Sequence, residues 1–239
     1  MKGFYSSMFG SRDLTRYTSQ SVVKVEQYSK THDPNALLKK GIWVYFLLLL
    51  FEGALRKWFL PGLSTPLLII RDPLAIWLVL SCWYRGLLPS NMFLSVMVVI
   101  GITGVFTATF LGHGSLPVAI YGARVFLFHF PLIFVIGRIF KQEDVLNIGI
   151  VMLWMSVPMT LLIALQFLSP QSAWVNQGVG GNVEGAGFDG ALGYYRPPGT
   201  FSFTNGNTLF YSFLAVFVIY FWIGKAVNRI LLIGATIAL

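Results

Sequence analysis

Long apolar runs alternate with short polar breaks along this chain. The apolar segments fall at about 41–60, 63–84, 91–111, 117–140, 145–168, 208–224 and 229–239. Each of the first six approaches the ~20 residues that a helix needs to cross a 30 Å hydrocarbon layer. The pattern predicts an all-α fold, a polytopic transmembrane helix bundle. The seventh segment has about 11 residues, roughly 16 Å of helix, and nothing polar follows Leu239. The expectation is a chain that forms the front part of a longer protein.

Two places break the pattern. In the second span, Leu67-Leu68-Ile69-Ile70 runs into Arg71-Asp72-Pro73. Asp72 reads as an N-cap and Pro73 as the first helical residue, so helix is expected from Pro73 to about Tyr84. Residues 61–71 then form a second short helix or irregular chain at membrane depth, and broken spans of this kind often mark binding sites. The second break, residues 169–207, is a single long loop with nine glycines and the aromatics Trp174, Phe188, Tyr194 and Tyr195. A loop of this length is functional or disordered, and its aromatic content argues against plain disorder. Those rings suit sugar faces, and equally suit a packed lid.

Composition fixes the solvent. Hydrophobic residues make up 56% and charged residues 11%, with a mean hydropathy of +0.71, whereas soluble domains carry about 25% charge. The bilayer is therefore a partner. The net charge of +8 is not gathered into a basic-aromatic arm, which excludes a nucleic-acid partner; it sits between apolar runs, where it sets topology. Residues 1–40 form a basic tail with an amphipathic stretch around Ser21 to Lys30, and 41–239 the transmembrane domain. With the tail cytoplasmic, twelve of seventeen basic residues lie inside (the tail, Arg85, Arg138, Lys141, Lys225, Arg229), and loop 169–207 is extracytoplasmic. Cys82 alone excludes a disulfide framework or a CxxC site. There is no Walker loop, zinc spacing, DxD sequence or nucleophile elbow, so neither metal nor cofactor is expected.

Ionisable residues inside the spans are costly in hydrocarbon and carry the functional signal. Glu52 and Arg56 stand at i,i+4 and pair; Lys57 can snorkel outward. Tyr121 lies one turn above Arg124 on the same face, whereas His129, five residues on, falls off that face and reads as an interhelical hydrogen-bonder. His113 is a solvated loop residue, and Glu184 and Asp189 are loop acids that could serve as a base. By depth, Glu52, Arg56, Arg71, Asp72 and Arg124 share one half of the membrane. With Lys57 and Arg196 they predict a cavity carrying about three surplus positive charges, suited to a phosphorylated lipid head because arginine's planar fork meets two oxygens at once. The plainer alternative is that these charges only hold helices together. After Arg196, Pro197-Pro198 stiffens the chain. Asn205 or Asn207 can then cap the next helix, whose N-terminus favours phosphate beside Arg196.

Arg196 followed by Gly199-Thr200-Phe201 and Asn205-Gly206, leading into a span after an outer loop, resembles the O-antigen polymerase and O-antigen ligase superfamily. Glu52-Gly53-Ala54-Leu55-Arg56-Lys57-Trp58 and Arg71-Asp72-Pro73 are similar to polysaccharide polymerases of that group. The resemblance, over about 42–224, implies metal-independent glycosyl transfer at the outer face of a bacterial inner membrane. The donor would be a polyprenyl-pyrophosphate-linked oligosaccharide. Arg196, Arg124 and Arg71 would be catalytic; Arg56, Lys57, Tyr121, Tyr194, Tyr195 and Trp174 would bind substrate; Glu52 and Asp72 would orient the arginines. Members have ten or more spans and a second large outer loop. A transporter or channel-like protein, a scaffold or an inactive fragment are the alternatives.

Overall fold

The computed structural model describes residues 33–88, 90–185, 188–224 and 227–239. The amphipathic stretch, most of the basic tail and Lys225 lie outside the described residues. The chain divides into two units between Lys40 and Gly41. In the first, the Asp33 carboxylate accepts from the Asn35 N–H at 2.9 Å and pairs with Lys39 at 2.9 Å, which tethers the start of α1.

α1 (Ala36–Ala54) ends in a π turn, Leu55–Phe59. A 3-10 turn (Pro61–Leu63), the short α2 (Ser64–Leu68) and α3 (Arg71–Tyr84) make the broken second span. α4 (Met92–Phe110) follows; α5 (Leu116–Arg124), a second π turn (Val125–His129) and α6 (Pro131–Ile139) make the next span. α7 (Gln142–Leu168) has Asp144 accepting from the Lys141 N–H at its start. α8 (Thr204–Gly224) and α9 (Arg229–Ala238) complete the order, α9 capped by the Asn228 side chain. Within the long loop, β1 (Phe188–Asp189) pairs antiparallel with β2 (Tyr195–Arg196), Phe188 opposite Arg196.

Among the described residues, five helical segments are long and apolar enough to cross a membrane: Pro61–Tyr84, Met92–Phe110, Leu116–Ile139, Gln142–Leu168 and Thr204–Gly224. α1 with its π turn is as long, but it carries five charges. α4 makes the need for lipid plain, since it buries only Gly101 and exposes Phe93, Val99, Ile102, Phe106 and Phe110. No aqueous solvent tolerates such a helix. The chain is an all-α multi-pass membrane protein.

Packing falls into two sets joined by α1. α3, α4, α5 and α6 pack around the second π turn. α7, α8 and α9 pack with α1 around Leu50, Met152, Met159, Phe210, Leu214 and Phe217, and Phe201 of the long loop enters the same core. α1 also touches the first set, through Tyr45, which meets His129, and Glu52, which meets Arg71.

Two helix boundaries differ from the sequence expectation. α3 starts at Arg71, not Pro73, and Asp72 caps nothing; its carboxylate is taken by partners on the neighbouring span instead. α8 starts at Thr204, which places Asn205 and Asn207 inside its first turn rather than at its cap. Asn207 donates from Nδ2 back to the Pro197 carbonyl at 3.3 Å.

Candidate anion site

Glu52, Arg56 and Lys57 share the last turns of α1, where the i→i+5 winding of the π turn replaces the α repeat. Such turns recur at functional sites because they re-aim side chains that an α-helix would spread. Glu52 and Arg56 are 5% and 7% exposed, and their ion pair spans 3.5 Å. The other Glu52 oxygen faces the Arg71 Nε. Arg56 also donates from Nε to the Ser64 carbonyl at 2.8 Å and from NH1 to the Ser202 hydroxyl at 3.0 Å. Glu52 thus sits between two guanidinium groups from two spans.

The second centre is Asp72. Arg124 donates from NH1 to one carboxylate oxygen at 2.8 Å and to the Leu68 carbonyl at 3.3 Å. His129 Nε2 lies 3.0 Å from the other oxygen, and Tyr45 Oη lies 2.8 Å from His129 Nδ1. A carboxylate only accepts, so Nε2 carries the proton, and a neutral ring then accepts from the tyrosine hydroxyl at Nδ1. The π turn makes this possible. Five residues in α-helix would turn His129 off the face of Arg124, as the sequence spacing predicts, but an i→i+5 turn returns it to that face. Tyr121 lies under the Arg124 guanidinium, 3.7 Å from ring centroid to Cζ. Arg124 Nε is buried and has no hydrogen-bond partner among the described residues.

These groups line one open cavity of about 360 Å³. Its walls carry Glu52, Arg56, Arg71, Tyr121 and Arg124, and its rim is completed by Ser202, Phe203, Asn205 and Gly206 at the start of α8. Asp72 does not line the cavity but pairs with Arg124. Three guanidinium groups against the carboxylates of Glu52 and Asp72 leave one surplus positive charge, not three. The first turn of α8 adds its partial positive charge.

The shortfall has two causes. Lys57 is fully buried instead of snorkelling: its Nζ donates to the Gly199 carbonyl at 2.6 Å and lies 4.5 Å from the Trp58 ring centroid. Arg196 is exposed on β2 and is not among the cavity's lining residues. After Pro197-Pro198, Gly199 turns the chain at φ +62°. Residues 199–202 then form a strap. Gln166 Oε1 accepts from the Gly199 N–H at 2.8 Å, and Thr200 Oγ1 donates to the Leu50 carbonyl at 2.8 Å. Gly53 lets that strap lie directly on α1, because a Cβ there would collide with the backbone of Thr200, Phe201 and Ser202.

Trp174, Tyr194 and Tyr195 are not among the residues that line the cavity. Tyr194 stacks on Phe167 with centroids 5.3 Å apart, Trp174 leans on Trp58 at 5.8 Å and accepts from its indole N–H, and Tyr195 is exposed. The structure therefore brings together Glu52, Arg56, Arg71, Asp72, Tyr121 and Arg124, and leaves Lys57, Trp174, Tyr194, Tyr195 and Arg196 outside. His129 and Tyr45 join the site through Asp72. The sequence placed His129 off the Arg124 face and offered no signal for Tyr45, an ordinary interfacial-type residue in an apolar run. Among the described residues, no group of three or more His, Cys, Asp or Glu side chains could hold a metal ion. The sequence matches no protein-family model and no curated protein, and the fold matches no solved structure.

Proposed function

We propose that the arginine cavity holds the pyrophosphate of a lipid-linked glycan. In this reading the chain belongs to a polymerase or ligase of surface polysaccharide in a bacterial inner membrane, with its N-terminus cytoplasmic and loop 169–207 outside. The observation that carries the reading is the convergence of Arg56, Arg71 and Arg124 from three spans on one cavity beside a helix N-terminus. The resemblance of Glu52–Trp58, Arg71–Pro73 and Arg196–Asn207 to O-antigen polymerases and ligases supports the glycan part. An acceptor hydroxyl attacks the anomeric carbon as the bond to the pyrophosphate oxygen breaks, and its proton passes to water in the cavity. The lipid pyrophosphate departs with the electron pair. The guanidinium groups meet the charge growing on it, which is the electrostatic help that dominates such sites. Arg71 and Arg124 take the first roles, Arg56 binds, and Glu52 and Asp72 hold the arginines in place.

The test is substitution in the producing cell, reading surface glycan length on gels. Arg71→Ala and Arg124→Ala abolish long chains, and Arg124→Lys does not restore them, because an ammonium cannot reproduce the fork. Normal glycan length in both alanine variants, each present in the membrane at wild-type amount, overturns the proposal. Anion transport is the second reading, favoured by the broken second span; it predicts pyrophosphate flux into vesicles carrying the purified protein.

A further inference from the structure

Next to the arginine cavity lies a second hollow of about 330 Å³. Its walls come from Phe46 and Leu50 of α1, Met152 of α7, and Leu209 and Phe213 of α8. Leu49, Phe201 and Gly206 line both hollows, so the two adjoin across those three residues. We infer that this apolar slot seats one hydrocarbon chain of the same amphiphile whose phosphate occupies the arginine cavity. The inference rests on the anion reading above and adds the place and number of the chains.

Three observations carry it. No charged or hydrogen-bonding side chain lines the slot, so it offers nothing to a sugar. Its mouth is formed by Leu49, Leu209 and Phe213, which are 44%, 70% and 46% exposed on the surface that meets lipid. An amphiphile can therefore slide in between α1 and α8 without leaving the bilayer. Finally, its volume lies at the small end of ligand pockets, about 300–1,000 Å³, which suits the first units of one chain and not a pair.

Exchange of a chain between bilayer and slot is nearly neutral, since lipid tails are as apolar as the slot walls. The charge on the head supplies the affinity, and the slot supplies alignment and selection by shape. Anionic phospholipids, with a phosphate but two chains, are thereby disfavoured.

The experiment uses the purified protein in nanodiscs and farnesyl pyrophosphate with a photoreactive group in its chain. Light-driven adducts are expected on Met152 and on Leu209–Phe213. Excess inorganic pyrophosphate removes them, and excess two-chain phosphatidic acid does not. Leu209→Trp, which fills the slot, lowers adduct yield about tenfold while inorganic pyrophosphate still binds as in wild type, which also reports that the variant is folded. Adducts spread over the lipid-facing surface of α4, or an unchanged yield in Leu209→Trp, overturn the slot and leave the anion site standing. Failure of wild type to bind inorganic pyrophosphate overturns the anion reading, and the slot with it.

Discussion

Two residues show opposite ways in which this fold holds a charge away from water. Asp72 is the sole carboxylate that Arg124 and His129 meet among the described residues. The pair with Arg124 is partly buried, its side chains 11% and 16% exposed. Removing one partner therefore costs less than the about 3–5 kcal/mol of a fully buried pair but more than the about 1 kcal/mol of a lost neutral hydrogen bond. Asp72→Asn is expected to lower the melting temperature in detergent more than Tyr45→Phe does. Equal shifts would mean that the Asp72 pair contributes no more than one neutral bond. Lys57 is the opposite case, a buried ammonium held by the Gly199 carbonyl and a tryptophan ring rather than by a carboxylate. Exchange of a buried ion for an apolar side chain of similar volume is often neutral or stabilising. Lys57→Met should thus melt no lower than wild type, while Lys57→Ala, which leaves a void, loses about 2–5 kcal/mol. The sequence shows Lys57 only as a long basic side chain near a span end, for which snorkelling is the default. Its burial is decided by a carbonyl 142 residues away, which no local pattern reveals.

At the scale of elements, the two π turns do the positioning, and they are invisible to hydropathy because an apolar span shows the same composition however it is wound. The turn at Val125–His129 holds one residue more than an α turn needs. Deleting the exposed Val125 converts it to an α turn and keeps Arg124 and His129 one turn apart. Deleting the equally exposed Ile133 instead rotates the rest of α6 by about 100° and takes the buried Val135 and Ile139 out of the core. The Val125 deletion is expected to give a folded protein with near wild-type melting and the Ile133 deletion an unfolded one, read by size-exclusion profile and thermal melting. Equal outcomes would remove the positional meaning of the π turn. The second-span break, by contrast, was legible, since Pro61, Pro66 and Pro73 punctuate it. Only the cap role of Asp72 was misread, because a carboxylate beside a proline looks the same in sequence whether it meets its own backbone or another helix.

For the whole molecule, apolar run lengths alone give the order of the helices, whose ends fall within about five residues of the runs. They suggest about six complete spans where five described helices are long and apolar enough to cross, because the charges of α1 and its π turn set it apart. The cavity was legible in part. Depth counting groups Glu52, Arg56, Arg71, Asp72 and Arg124 but gives no lateral position, so chain proximity alone suggests Arg196 beside them, whereas the strap reaches the cavity through Ser202 and leaves Arg196 exposed on β2. The proposed sidedness rests on the placement of basic residues in short loops and is open to direct measurement. In a Cys82→Ser background, single cysteines at Ser115 or Ser172 are expected to react with a membrane-impermeant maleimide in intact cells, and one at Ser90 only after lysis. The reverse pattern would invert the topology and move the arginine cavity to the cytoplasmic side.

The bond between Lys57 and Gly199 also orders events during synthesis. At about 5–20 residues per second, the 142 residues that separate them take about 7 to 30 s to emerge. Throughout that interval the ammonium has no strap to receive it and stays with water or headgroups at the bilayer edge, holding the end of α1 there. Final seating of α1 therefore waits for the long loop, and a ribosome stalled before Gly199 would carry a nascent chain whose α1 is not yet locked.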